Sequence, residues 1–249
     1  MIINELRRIH LPDTESTNKY AREGLAWQGV VTLITADYQT SGRGQRGNTW
    51  ESEAGKNLLF TLALPTHSIK VSEQFALCEL ISVAICEVLA QYTADIRIKW
   101  PNDIYYKDKK LCGILIEHDL EGTHLSRSLI GVGVNVNQAE FHSDAPNPIS
   151  LQQILGHEVE LEALLETIIS HFMELYTQYT SPTPLLSRVA LHERYTTRLY
   201  RRDEEATYRD ANGIFTATLR TVEPDGRLRL EDQQGNLRGY LFKEVSYEL

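Results

Sequence analysis

Apolar positions along the chain fall into two rhythms. Val30–Ala36 and Leu58–Leu64 are short runs rich in aliphatic and β-branched residues, and each reads as a strand. A shorter strand running into a turn is predicted over Ile9–Glu15. Asp95–Tyr106 alternates apolar and basic residues as a strand and breaks at Pro101. Leu111–Glu117 and Leu129–Asn137 read as buried strands, the first entered through a charged turn, Lys107–Lys110. The helical period takes over in Val71–Tyr92, where Phe75, Leu77, Leu80, Ile81, Ala84, Ile85, Val88 and Leu89 share one face. It returns in Leu161–Tyr179, a strongly amphipathic helix stopped by Pro182 and Pro184, and in Leu185–Leu199. A modest helix is predicted over Lys19–Ala26, and residues 138–149 read as loop. Beyond Arg201 the turns Asn212-Gly213, Pro224-Asp225-Gly226 and Gln233–Asn236 separate about four short strands, which suggests a small barrel.

Composition narrows the class. The 249 residues can bury a sizeable core and hold a large domain with a smaller one. A net charge of -9 argues against nucleic acid as the main partner. The start carries no signal-peptide apolar region, and no apolar run approaches the ~18 residues needed to span a bilayer. Cys78, Cys86 and Cys112 form no CxxC pair, and an odd, sparse set fits a reducing cytoplasm better than a disulfide framework.

The candidate chemistry centres on Thr40–Trp50, a segment between two strands with three glycines, two arginines and a tryptophan. Glycines let backbone N–H groups approach an anion, arginines add charge shaped for phosphate or carboxylate, and Trp50 offers a flat face for a base. The loop lacks the Gly-Lys-Ser/Thr ending of a Walker A loop, and no helix follows it as in a dinucleotide fingerprint. On its own it is equally a mobile basic surface loop. Ser16-Thr17-Asn18 reads by itself first as an N-cap and only second as a polar ligand contact. Asn102 and Asp103, at the break after Pro101, form an Asx-turn or handle a metal or phosphate. Gly131 and Gly133 leave one strand face bare, either for a flat ligand or for close packing.

Assembled, these residues resemble the biotin–protein ligases. Ser16-Thr17-Asn18 is similar to the motif before that family's first helix, and Gly42–Trp50 to its biotin and adenylate loop. Lys99-Trp100-Pro101-Asn102-Asp103, Lys110–Ile114 and Gly131–Asn135 are similar to its remaining signatures, in the family's order and approximate spacing. The resemblance runs from about residue 9 to the C-terminus. It implies an α+β fold, a mixed sheet with flanking helices related to class II aminoacyl-tRNA synthetases, over residues 1–199. A small C-terminal SH3-like β-barrel is implied over 200–249. The catalytic part begins almost at Met1, which leaves no room for the helix-turn-helix domain of the members that double as repressors.

The implied reaction has two steps. Biotin's carboxylate attacks the α-phosphate of ATP to give biotinyl-5'-AMP and pyrophosphate. A carrier lysine then attacks the acyl-adenylate to give an amide and AMP. ATP, biotin and Mg²⁺ are the implied ligands, and a biotin carboxyl carrier protein or domain, as in acetyl-CoA carboxylase, is the implied partner. Neither nucleic acid nor membrane is implied; a monomer or a homodimer both fit.

By the same resemblance Ser16, Thr17, Asn18, Gln39, Gly42, Arg43, Gly44, Gln45 and Lys110 contact biotin, with Gly113 and Gly131 as bare floor beneath it. Arg43, Arg46, Trp50, Asn102, Lys110 and Asn135 belong to the nucleotide, with Trp50 stacked on adenine. Lys110 and Arg43 are the catalytic cations, and Asn102 and Asp103 organise metal and phosphates. The family commonly has arginine where this chain has Gln45, with Arg46 next to it as a substitute; that predicts a looser hold on the intermediate. A lipoate ligase or octanoyltransferase of the same fold, and a non-catalytic biotin-sensing module, are the alternatives.

Overall fold

The computed structural model describes residues 6–44, 49–143 and 147–248. Its frame is a seven-stranded mixed sheet in the order β1-β2-β3-β7-β6-β5-β4. The strands are β1 (Arg7–Thr14), β2 (Thr32–Gln39), β3 (Leu58–Pro65), β4 (Ile96–Lys99), β5 (Asp103–Tyr106), β6 (Lys109–Glu121) and β7 (His124–Val134). β1 and β2 are parallel and every other pair is antiparallel.

One face of this sheet is covered by helices. Helix α2 (Phe75–Leu89) is apolar almost all round and is correspondingly buried almost all round, packed against α4 (Leu161–Thr180) and α5 (Arg188–Thr196). In α4, Leu164, Leu165, Ile168, Ile169, Phe172, Leu175 and Tyr176 recur at helical spacing and face inward. Ser187 caps α5, its hydroxyl accepting from Ala190 N at 3.1 Å, which starts that helix later than the apolar pattern suggests. The buried carboxylate of Glu79 in α2 lies 2.6 Å from His192 Nδ1 and forms an ion pair with Arg188, both from α5.

The opposite face carries a smaller cluster of Ala21, Leu25, Ile34, Ala63 and Leu129. Above it, the helix expected over Lys19–Ala26 is shorter and wider. A single turn, α1 (Thr17–Lys19), passes into a π-turn, Tyr20–Gly24, closed by Leu25 N on Tyr20 O at 3.0 Å. The wide turn seats both Ala21 and Leu25 on the sheet. A short α3 (Leu151–Leu155) with a capping box at Ser150 and Gln153 follows the 138–149 loop.

The C-terminal part is a second, antiparallel sheet of five strands, in keeping with an SH3-like domain. They are β8 (Glu205–Asp210), β9 (Gly213–Val222), β10 (Leu228–Asp232), β11 (Leu237–Tyr240) and β12 (Ser246–Tyr247), in the order β11-β10-β9-β8-β12. Its β9–β10 turn docks on the first domain. Trp100 Nε1 donates to Gly226 O at 2.9 Å, Arg188 donates to Pro224 O at 2.7 Å, and a Cβ on Gly226 would stand 2.6 Å from the Phe75 ring. Among the described residues no helix is long and apolar enough to cross a membrane.

Candidate functional site

Three strands lay a bare floor on the sheet face away from α2. Gly113 on β6 is the register partner of Gly133 on β7, and Gly131 pairs with Thr61 on β3. Side chains alternate across a strand, so Gly131 and Gly133 lie on the same face two residues apart. The floor is filled by side chains of the chain itself. A Cβ on Gly133 would stand 2.5 Å from the Trp50 indole, one on Gly113 2.8 Å from it, and one on Gly131 2.3 Å from Asn18 Oδ1. The expectation that Gly113 and Gly131 open directly to a ligand is therefore modified. Glycine is needed there because Trp50 and Asn18 lie where a side chain would be, and the sheet seats the Trp50 indole.

Loop geometry delivers Trp50 to this place. Thr40 N and Ser41 N donate to Thr14 O and Glu15 O, tying the loop base to the end of β1, and Trp50 N closes on Gly42 O at 2.9 Å. A Cβ on Gly42 would stand 2.6 Å from Trp50 O, so that closure requires glycine. Arg43 is exposed and bridges Thr49, and Gly44 follows it half-buried. Gln45 and Arg46 lie outside the described residues.

One end of the floor is polar. Gln39 Oε1 accepts from Thr17 N at 2.8 Å and from Thr17 Oγ1 at 3.1 Å. The buried Thr61 hydroxyl lies 2.8 Å from Thr17 Oγ1 and 2.6 Å from Asn18 Oδ1. Asn18 Nδ2 donates to Glu117 at 3.1 Å and to Leu115 O at 3.3 Å. Ser16 stands at the cap position in extended conformation, buried but with no side-chain cap bond, so this triplet is more than a helix start. Thr61 and Glu117 complete an array that sequence reasoning missed. The available signal was that Thr61 is the lone polar residue in Leu58–Leu64.

The other end is charged. Lys110 Nζ meets Asp103 Oδ2 at 2.6 Å and lies 5.9 Å from the Trp50 ring centre. Lys99 pairs in register with Asp103, and Tyr105 with Lys110, so all four belong to one strip of β4, β5 and β6. Lys99 Nζ lies 3.0 Å from the Tyr105 hydroxyl, 4.6 Å from that ring centre and 5.0 Å from the ring centre of Tyr247. Burial pushes the Lys99 ammonium down to about 8; Asp103 opposes this, while Lys110 and Arg201 add to it. Cation–π contact recovers about 2 kcal/mol when desolvated, less than the several kcal/mol lost on withdrawing an ion from water.

Asn135 lies just past β7 and is buried. Its Nδ2 donates to Ile149 O at 3.1 Å, and its Oδ1 is buried with no hydrogen-bond partner among the described residues. Asn102 is buried directly before Asp103. Asp103 is engaged by Lys110, and among the described residues no three His, Cys, Asp or Glu side chains gather to hold an ion. Magnesium binds through one or two carboxylates plus substrate phosphates, so Asp103 would hold such an ion only together with the phosphates of a bound nucleotide. A cavity of about 620 Å³ lies beyond the Trp50 segment, lined by Tyr38, Glu51, Glu53, Gln138 and His142 among others. Its acidic lining is ill suited to phosphate.

This geometry has counterparts. The Biotin/lipoate A/B protein ligase family matches residues 11–135. The Bifunctional ligase/repressor BirA of Escherichia coli K12 is 30% identical over 245 residues, covering 95% of this chain and 72% of that protein. The protein of the same name in Bacillus spizizenii is 31% identical over 230 residues, covering 89% of this chain; the match spans 66% of that relative's length. Among solved structures, the Biotin protein ligase from Aquifex aeolicus in complex with biotin and ATP shares the fold. Its TM-score is 0.79 at 24% identity, over 97% of this chain and 98% of that one.

Proposed function

Because the chain belongs to the Biotin/lipoate A/B protein ligase family, we propose that it attaches biotin to a lysine of a carrier protein, using ATP through a biotinyl-5'-AMP intermediate. The observation that carries this reading is the two-ended floor: a hydrogen-bonding array of Thr17, Asn18, Gln39 and Thr61, with Glu117 behind Asn18, at one end, and the Lys110–Asp103 pair at the other. A cyclic urea offers a carbonyl acceptor and two N–H donors and suits the first. A carboxylate beside a phosphate suits the second.

In the first step a carboxylate oxygen of biotin bonds to the α-phosphorus. The bond to the β-phosphate bridging oxygen breaks, and pyrophosphate leaves with the electron pair. Negative charge gathers at the phosphate, where Lys110, with Arg43 at the loop base, stabilises it. Asp103 fixes the Lys110 ammonium at one point and spares it the entropy of a free side chain. In the second step the neutral amine of the carrier lysine bonds to the acyl carbon. The bond to the phosphate oxygen breaks, AMP leaves, and the amine gives up a proton. Trp50, tied to the sheet, keeps water from the mixed anhydride between the steps.

We take residues 1–199 as the catalytic domain and 200–249 as a C-terminal domain that helps order ATP or carrier. The carrier is a biotin carboxyl carrier domain.

ATP–pyrophosphate exchange, run separately with biotin, lipoate and octanoate, tests the reading. Exchange with biotin alone is expected. Exchange with lipoate or octanoate instead moves the chain to the other half of the family, and no exchange with any acid overturns adenylation.

A further inference from the structure

The hydrogen bonds at the polar end of the floor run in one direction. Two groups there have a single role: the Thr17 N–H can only donate, and the Glu117 carboxylate, when ionised, can only accept. Between them stand groups able to do both, and each hydroxyl has one proton to give. Glu117 Oε2 lies 3.1 Å from the Asn18 amide, which must present Nδ2 there, since its oxygen would face a carboxylate. Leu115 O, 3.3 Å from the same nitrogen, acts in the same sense, and Arg22 engages the other Glu117 oxygen at 3.4 Å. Asn18 Oδ1 is thereby turned to Thr61, 2.6 Å away, and takes the Thr61 proton. With that proton committed, Thr61 can only accept across the 2.8 Å to Thr17, which turns the Thr17 hydroxyl inward. At the other side the Thr17 N–H holds Gln39 with Oε1 inward at 2.8 Å and Nε2 on the side of Gly42. The array therefore meets a ligand with the lone pairs of Thr17 beside the NH2 group of Gln39, one acceptor next to one donor.

We propose that Glu117 is a positioning residue that sets the hydrogen-bond polarity of this end of the site, and with it the preference for a ring N–H beside a carbonyl over a ring of the same shape that lacks the N–H. The inference rests on the biotin reading above and deepens it, since each edge of a cyclic urea is such a pair. Glu117 acts through Asn18 and Thr61 rather than by contact with the ligand. Its part is to hold the Asn18 amide in one of two orientations of nearly equal shape. With the amide reversed, Asn18 would donate to Thr61 and Thr61 to Thr17, and the Thr17 proton would be free to point at the ligand. The edge would then offer donors alone and suit a ring that carries only acceptors. In the orientation that Glu117 holds, a ring without an N–H leaves the Thr17 oxygen as a buried acceptor unpaired, which is how a polar site rejects such an analogue.

Calorimetric titration of the parent, Glu117→Leu and Glu117→Gln tests this with two probes: desthiobiotin, and its cyclic-carbonate analogue, in which oxygen replaces both ring N–H groups. The parent is expected to favour desthiobiotin by about a hundredfold or more. Glu117→Leu leaves the Asn18 amide to Leu115 O alone and is expected to lower that ratio by about fivefold or more. Glu117→Gln, whose side-chain carbonyl still accepts, is expected to keep the ratio within about twofold of the parent's. A glutamate of purely structural use would weaken both ligands alike, so an unchanged ratio in Glu117→Leu overturns the proposal whatever the absolute affinities. A ratio in Glu117→Gln as low as in Glu117→Leu assigns the effect to charge and overturns it as well. If the parent binds neither probe, or both equally, the biotin reading fails, and the Asn18 amide decides the inference alone. Its NH2 protons, followed by nitrogen-15 NMR, are then expected to exchange with solvent about tenfold faster or more in Glu117→Leu than in the parent; equal rates overturn the orienting role.

Discussion

Gly133→Ala isolates the seat of Trp50. Gly133 lies in β7 without a positive φ, so alanine is compatible with the backbone. The new methyl would stand 2.5 Å from Trp50 Cε2 and 2.6 Å from Nε1, where carbon contacts relax near 3.5–4.0 Å. The indole must lift by about 1 Å or more, and Gly113 beneath the same ring prevents a simple slide. Overpacking of this kind costs about 1–3 kcal/mol. The strain falls on the loop, so the sheet absorbs little of it, and ligand affinity is expected to fall by roughly tenfold to a hundredfold at 1.4 kcal/mol per factor of ten. Calorimetric titration with biotin measures the loss, and tryptophan emission shifts to the red as the indole meets water. The double mutant supplies the control. With Trp50→Ala already present, Gly133→Ala has nothing to displace, and its effect is expected to shrink to about 0.5 kcal/mol or less. Parent-like affinity and emission in Gly133→Ala, or an equal loss in the Trp50→Ala background, would refute the argument.

Three further perturbations follow from the geometry. Thr61→Val removes the hydroxyl between Thr17 and Asn18 and leaves buried acceptors unpaired, so urea unfolding is expected to reveal a loss of about 1–3 kcal/mol. Asp103→Asn frees Lys110 from its fixed point, so kcat for exchange is expected to drop roughly a hundredfold while KM for biotin holds; an unchanged kcat would remove Asp103 from the positioning role. Glu87 on α2 has a carboxyl that burial pushes up, but hydrogen bonds from Arg194 and His171 and the charges of Arg194 and Arg198 outweigh this and hold it below the ordinary value of 4.5. A depressed carboxyl stabilises the fold above its unfolded value and loses that contribution as pH falls through the folded one. Glu87→Gln is thus expected to lower the melting temperature at pH 7 and to flatten its decline below about pH 4.5; parallel curves for parent and variant would contradict this.

Local pattern made much of this fold legible. The strands flanking the glycine loop and the helices α2 and α4 announce themselves through period alone, and the glycines of Gly131–Gly133 signal a face stripped of side chains. What fills that face was not legible, because it depends on register between distant strands. Nothing local says that Gly113 lies opposite Gly133, or that Trp50 swings onto both. Thr61 looks in sequence like one more strand residue for the same reason, its partners lying more than forty positions away. The helix at Lys19–Ala26 kept its place but not its form, since a wide turn seats Ala21 and Leu25 better than a regular one. Lys99 is visible only as part of a motif; that the rings of Tyr105 and Tyr247 flank its ammonium is a property of packing.

The handshake between Trp100 and Gly226 also bears on how such chains can be recombined. Trp100 immediately precedes the Pro101-Asn102-Asp103 corner, and its indole N–H is already committed to the carbonyl of a turn in the other domain. That turn fits only because position 226 has no side chain to strike Phe75. Grafting the first domain onto a foreign tail would strand this donor and open a hollow beside the corner that presents Asp103. A chimera must therefore carry over the β9–β10 turn with its glycine, whatever the rest of the tail becomes. A library that shuffles the two halves at residue 200 without that turn should yield folded proteins far less often than one that keeps it.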